Sequence, residues 1–247
     1  MTGAPLAGRR VVVTRAAEQA DDLAVLLREQ GAEPVIVPLI EIVDPADHGV
    51  ALADALARLD DYDWLFVTSP NGATRVAAAL ADRRSASTNA PLQIAAVGTA
   101  TAAALGCTPD LVAATQSADG LLAVFPYGSG RVLVAQAEGA RPTLVDGLRE
   151  RGWLVDPVIA YRTRLVRPDR GEMLRALAAD ALLFASGSAV VAWHEVFGSS
   201  TPPFVVAIGP STAVAADKIG LKIDVIATDY SLSGMVACLL TYLGDSD

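Results

Sequence analysis

Hydrophobic residues fall along this chain in short runs that alternate with longer amphipathic stretches. VVV at 11–13 leads through a polar loop into DDLAVLLRE, whose apolar positions recur at helical spacing until Gly31 ends them. WLFV at 64–67 runs into Ser69-Pro70-Asn71-Gly72 and then into an alanine-rich helical stretch. LLF at 182–184 does the same through Ser186-Gly187-Ser188. Short apolar strands alternating with amphipathic helices predict parallel sheets covered on both faces.

The pattern occurs twice. RVVVTRAAEQADDLAVLLREQG (10–31) matches RVLVAQAEGARPTLVDGLRERG (131–152) without a gap. DWLFVTSPNGA (63–73) lies over DALLFASGSAV (180–190), pairing Asp63 with Asp180, Ser69 with Ser186 and Asn71 with Ser188. AAVGTATAAAL (95–105) lies over VAIGPSTAVAA (206–216), and VAATQSADGLLAVF (112–125) over VIATDYSLSGMVACL (225–239). Units recurring in one order indicate an internal duplication, with two α/β sheets of four or five strands each. VIVPLIEIVDP (35–45) and VIAYRTRLVRP (158–168) are extended, β-rich and end at proline, as connectors between two lobes would. DRRSASTNAPLQ (82–93) predicts a polar surface loop.

Composition narrows the chemistry. At 247 residues and 52% hydrophobic content, the chain can build a large core or two modest ones. No stretch reaches the roughly 18 uninterrupted apolar residues of a membrane span, and the start lacks the apolar run of a signal peptide. Cys107 and Cys238, far apart in alanine- and leucine-rich settings, suit free thiols in a reducing cytoplasm. The net charge of −9 opposes non-specific nucleic-acid binding. It does not oppose an anionic small ligand, because backbone N–H groups bind anions whatever the global charge.

Several familiar motifs are missing. There is no G-x-x-x-x-G-K-[ST], no G-x-G-x-x-G after a strand and no G-x-S-x-G elbow. His48 and His194 have no Cys or His partner at metal-ligand spacing. An enzyme of this sequence is expected to work without metal, nucleotide or covalent nucleophile.

What remains is a set of loops at the carboxyl ends of the predicted strands, where open parallel sheets bind ligands. They read Thr14-Arg15, Ser69-Pro70-Asn71-Gly72, Gly98 to Thr101, Ser186-Gly187-Ser188, Gly209-Pro210-Ser211-Thr212 and Thr228 to Ser231. Hydroxyls, glycines and prolines at helix starts leave N–H groups pointing outward at the positive end of a helix dipole. Such a rim suits a ligand with several carboxylates or phosphates. The same residues are ordinary capping chemistry, and each loop taken alone reads either way.

Together VVVTR (11–15), FVTSPNG (66–72), AVGTATA (96–102), AYRT (160–163) and IGPSTA (208–213) resemble the uroporphyrinogen-III synthase family. The resemblance runs over nearly the whole chain, and it rests on the order and spacing of motifs that are individually short. It implies two α/β lobes, residues 1–36 with 168–247 and residues 45–157, joined by connectors at 37–44 and 158–167. It implies cyclisation of hydroxymethylbilane, a linear tetrapyrrole, with inversion of the last pyrrole, loss of water and no cofactor. By motif position Thr101, Ser186, Ser188, Ser211 and Thr212 carry over as substrate-cleft residues, followed by Ser69, Asn71 and Thr228. Tyr161 matches the family's cleft tyrosine, either as a donor to the departing hydroxyl or as a packing aromatic. Arg15 could pair with a substrate carboxylate or sit solvated at the surface. The chain departs from the family's usual prolines at Ala16 and Gly187. A cytoplasmic monomer acting on a small tetrapyrrole, with no nucleic acid or membrane partner and no metal, completes the expectation.

Two rivals remain open from sequence. A two-lobed anion-binding or sensory module without catalysis would carry the same rim. A nucleotide-sugar transferase would place an acidic residue or basic clamp at the strand ends, where this chain has small hydroxyls and glycine.

Overall fold

Val11, Val12 and Val13 are fully buried because their strand is flanked on both edges and covered on both faces. In the computed structural model, which describes residues 4–86 and 92–244, the chain begins β1 (Arg10–Val13), α1 (Ala17–Glu29), β2 (Glu33–Ile36), β3 (Ile40–Val43) and α2 (Val50–Leu56). It continues through β4 (Trp64–Val67), α3 (Pro70–Ser85), β5 (Gln93–Ala96), α4 (Thr99–Ala104), β6 (Leu111–Val112) and α5 (Ala118–Val124). Next come β7 (Arg131–Ala137), α6 (Thr143–Glu150), β8 (Leu154–Leu165), α7 (Arg170–Leu177), β9 (Ala181–Phe184) and α8 (Gly187–Phe197). β10 (Phe204–Ala207), α9 (Pro210–Asp217), β11 (Val225–Ile226) and α10 (Leu232–Leu243) complete it. The stretch at 82–93 is helical as far as Ser85, where α3 continues its capped run; residues 87–91 lie outside the described residues.

Two compact units result, Met1–Glu41 with Arg164–Asp247, and Ile42–Thr163. The first holds the sheet β11-β10-β9-β1-β2, and the second is built on β6-β5-β4-β7-β8-β3. All pairings along the first sheet, and from β6 to β8 in the second, are parallel. Leaving the edge strand β3 aside, the two orders coincide when β1, β2, β9, β10 and β11 are laid on β7, β8, β4, β5 and β6. The sequence copies run straight along the chain, but the sheets exchange them. β1 and β2 of the first copy join β9 to β11 of the second, and β7 and β8 of the second join β4 to β6 of the first. Both unit boundaries fall inside strands, β3 and β8. The extended segments at 37–44 and 158–167 are therefore largely strand. Their contacts, Arg162 with the Asp44 carbonyl, Arg164 with Glu41 and Val166 with the Leu39 carbonyl, step in opposite directions, as antiparallel partners do.

Alternation along the strands sorts the cores. Leu65 and Val67 join Leu133, Ala135, Val76 and Leu80 on one face of the second sheet. Trp64 and Phe66 join Val132, Val134, Leu121 and Leu148 on the other. Phe125 meets the Phe66 ring edge-on at 4.8 Å. In the first unit Val11 and Val13 pack with Leu23, Leu27, Leu183, Met235 and Leu239.

The duplication also recurs in the hydrogen bonds that fix the elements. Gly31 and Gly152 close α1 and α6 at φ +83° and +93°, a left-handed region glycine enters without steric cost. Ala32 N–H then donates to the Leu27 carbonyl at 3.0 Å and Trp153 N–H to that of Leu148 at 3.2 Å, the same helix ending twice. At the amino ends of the strands, Asp180 accepts from Arg10 N–H and Asp63 from Arg131 N–H, each at 2.7 Å. Asp224 accepts from Val205 N–H at 2.9 Å and Asp110 from Ile94 N–H at 2.8 Å. Each of these aspartates returns its own N–H to the carbonyl of the residue it holds.

Candidate active site

Because the shared strands run parallel, each sheet gathers its outgoing loops at one end, and all but the one after β2, which leads to β3, run on to a helix. Thr14 ends β1 fully buried, its hydroxyl donating to the Leu183 carbonyl at 3.3 Å. Ser69 caps α3, its Oγ accepting from Gly72 N–H at 3.0 Å, with Pro70 preset for the first turn. Ser186 caps α8 from Ala189 N–H at 3.2 Å and lies 3.0 Å from the Ser188 hydroxyl. Ser117 and Ser231, which did not figure among the predicted site residues, cap α5 and α10 from Gly120 and Gly234 at 3.0 and 2.9 Å.

α4 and α9 are capped differently. Gly98 and Gly209 stand at their N-caps in extended backbone, and among the described residues no side-chain cap hydrogen bond closes their first turns. Glycine is needed there for space. A Cβ on Gly98 would lie 2.5 Å from the Gln116 amide oxygen, and one on Gly209 would lie 3.2 Å from a Tyr230 ring carbon. Neither neighbour was legible in the motifs, because each reaches its glycine from the adjacent strand's loop.

The predicted residues divide between the units. In the first, Thr228 follows β11, Ser211 and Thr212 follow β10, Ser186 and Ser188 follow β9, and Arg15 follows β1, which makes them neighbours along one rim. In the second, Thr101 follows β5, Ser69 and Asn71 follow β4, and Tyr161 lies within β8. Ser188, Ser211 and Thr228 are exposed, whereas Ser69, Asn71 and Ser186 are half-buried. Thr101 and Thr212, in the first turns of α4 and α9, are only 2% exposed and underlie the rim more than they form its surface.

Arg15 is half-buried rather than solvated. Its Nη2 lies 3.5 Å from Gln19 Oε1, and its buried Nη1 has no hydrogen-bond partner among the described residues. Burial pulls this guanidinium below its ordinary pKa, opposed by the charge of Asp22. Tyr161 is 7% exposed and packs in the core with Leu133, Ala135 and Ala160. A slip in the β7–β8 register sets Gln136 opposite Ile159 but Ala137 opposite Tyr161. That bulge breaks the two-residue alternation, so that Ala160 and Tyr161 are buried in succession. Nothing in the sequence pattern signals it.

The acidic balance of the chain is partly set apart from this rim. Asp63, Asp110, Asp180 and Asp224 are tied to strand starts at the opposite end of the sheets. Among the described residues no three His, Cys, Asp or Glu side chains are grouped to hold a metal ion, and no helix is long and apolar enough to cross a membrane. Cys107 and Cys238 are free and half-buried.

These features define an α/β protein of two parallel-sheet units whose strand ends present helix N-termini lined by hydroxyls. The family model for uroporphyrinogen-III synthase HemD matches residues 21–237, and the chain belongs to that family. It is 28% identical to the uroporphyrinogen-III synthase of Synechococcus elongatus, over 97% of each chain. Its fold is similar to that of a mutant uroporphyrinogen III synthase from the extremely thermophilic bacterium Thermus thermophilus, with a TM-score of 0.67, 22% identity and coverage of 97% of this chain and 100% of that one. The uroporphyrinogen-III synthetase of Helicobacter pylori is similar at a TM-score of 0.57 and 17% identity, over 95% and 99% of the two chains.

Proposed function

We propose that this protein cyclises hydroxymethylbilane to uroporphyrinogen III. The family match across residues 21–237 carries the reading. In that reaction the terminal hydroxyl leaves as water and an azafulvene cation forms. The substituted α-carbon of the last pyrrole attacks it to give a spiro intermediate, which fragments and re-closes with that ring inverted. Without the enzyme the bilane closes to the symmetrical type I isomer, so the protein's task is to hold the less accessible attack in line. Helix N-termini suit this task. Open N–H groups at Gly98 and Gly209, with the hydroxyls of Ser69, Ser186, Ser188, Ser211 and Thr228, offer donors to acetate and propionate arms. Asn71 and the unpartnered Nη1 of Arg15 extend the set, and Thr101 and Thr212 support it from below.

Tyr161 assists by hydrogen-bonding to the departing hydroxyl rather than by controlling the step, since it is held mainly by core packing. Tyr161→Phe should keep substantial turnover, and complete inactivity in a folded variant would overturn this role. The protein acts as a cytoplasmic monomer on this small substrate; elution as a dimer on a sizing column would count against the monomer. The decisive experiment incubates the protein with freshly made hydroxymethylbilane and separates the isomers by chromatography. Type III product is expected; a chain that only binds anions would leave type I alone.

A further inference from the structure

We propose that Tyr230 is a substrate-contacting residue, its ring face orienting one pyrrole of the bilane; this rests on the reading of the chain as a cyclase of hydroxymethylbilane. Tyr230 sits in the loop from β11 to α10 with φ +53°, in the left-handed region that tyrosine rarely adopts. The loop around it is held on the following side. Ser231 N–H donates to Asp229 Oδ1 at 3.1 Å, and the Ser231 hydroxyl caps α10. The ring lies against Gly209 at the start of α9, where even a methyl group would crowd it at 3.2 Å. Yet the residue remains 48% exposed.

Neither backbone nor packing accounts for a tyrosine here. The dihedral favours glycine or asparagine, and a half-exposed ring gains little from burial. In the second unit the matching place over Gly98 is taken by the Gln116 carboxamide. The two rims thus share a side chain laid over a bare helix start, but only the first makes it aromatic. Among the loops that follow β1, β4, β5, β6, β9, β10 and β11, Tyr230 is the one aromatic residue, in a rim whose other polar side chains are hydroxyls with Arg15, Gln116 and Asp229. A bilane carries flat pyrroles between its acidic arms. Backbone N–H groups hold the arms; a fixed ring face offers the stacking surface a pyrrole needs.

The test compares Tyr230→Phe, Tyr230→Gly and Tyr230→Asn in the full chain, with KM, kcat, isomer ratio and Tm measured for each. The Phe variant keeps the ring and should stay within about threefold of the parent in KM, whereas Gly and Asn should raise KM about tenfold. Gly and Asn should also release more type I isomer, while Tm holds or rises as the strained dihedral relaxes. A Gly variant with unchanged KM and isomer ratio would overturn the proposal, as would a Phe variant as impaired as Gly. Loss of Tm in both Gly and Asn, parallel to the loss of activity, would assign Tyr230 to the fold and overturn it too. If the parent protein itself yields only type I product, the cyclase reading fails first. If the parent yields type III and Tyr230→Gly matches it, only this inference fails.

Discussion

The bases of the two sheets are held by the same aspartate bonds, and their rims are not alike. At each base an aspartate one residue before a central strand accepts from an arginine N–H at 2.7 Å, and a second aspartate secures the strand beside it. At the rims, Asn71 of one unit corresponds to Ser188 of the other, and Gln116 to Tyr230. The difference follows from what each end must do. A strand start leaves backbone donors that need one particular partner, which a carboxylate one residue before the neighbouring strand supplies. A helix start can be capped by several side chains or by a ligand, so its residues are free to diverge with what they bind.

The largest expected effects test whether the units are equal in their cores. Phe66→Ala and Phe184→Ala each remove a fully buried ring and should cost about 3–5 kcal/mol. Phe66 should lie at the upper end, because it meets Phe125 at 4.8 Å while Phe184 meets Trp193 at 6.1 Å. Hydrogen exchange resolved by segment would show each loss concentrated in its own unit; equal spread across both would break the comparison.

A sharper contrast lies in two matched glycines. A Cβ on Gly120 would fall 1.9 Å from the Thr115 backbone carbonyl, whereas one on Gly234 would meet the Asp229 side chain at 1.7 Å. A backbone cannot step aside as a carboxylate can. Gly120→Ala should therefore cost roughly 3 kcal/mol and Gly234→Ala nearer 1 kcal/mol in urea denaturation. The reverse order would show that the Asp229 turn is the more rigid of the two.

The serine caps should behave as equals in stability and not in function. Ser69→Ala, Ser117→Ala, Ser186→Ala and Ser231→Ala should each cost about 1 kcal/mol, recovered by Asp or Asn. Turnover should fall further for Ser186, whose hydroxyl is shared with Ser188, than for Ser117.

The smallest effect concerns an addition found at one base. In the second unit Arg131 also binds Asp156 at 2.8 Å and lies over the Tyr62 ring, whose hydroxyl donates to Asp156 at 3.0 Å. Arg131 first, and then Tyr62, hold the Asp156 carboxyl below its ordinary pKa, against the opposing effect of burial. A depressed carboxylate pKa adds stability that is present above the unfolded value, about 3.9, and lost as pH falls through the folded one. The stability gap between the parent and Asp156→Asn should be full above about pH 5 and close on acidification. With both side chains more than two-fifths exposed, 42% and 44%, the gap should also shrink in high salt. A pH-independent gap would assign Asp156 to packing instead.

Much of this was legible in residue patterns. The strands, their helices and the duplication followed from alternation and spacing, and Ser69 and Ser186 could be read as caps because a cap acts within three residues of itself. The burial of Thr101 and Thr212, the half-burial of Arg15 and the bulge at Ala160 could not, because each depends on what a neighbouring element brings up against it. The contacts of Gln116 with Gly98 and of Tyr230 with Gly209 stayed hidden for the same reason, since each glycine lies one strand away from the side chain that covers it.

The sequence by itself determined two rounds of strand and helix, and the hydroxyl-rich loops between them. Its periodicities are local and survive whatever the strands pair with. No hydrophobic pattern decides that the rounds trade their first two strands; the tertiary structure does, with β1 beside β9 and β7 beside β4. RVVV and RVLV are so alike that either pairing would satisfy the same hydrophobic pattern. The pairing is recorded in bonds between residues 68 and 170 apart in the chain, Asp63 with Arg131 and Asp180 with Arg10, and because these aspartates are equivalent, no local pattern records which partner each strand takes.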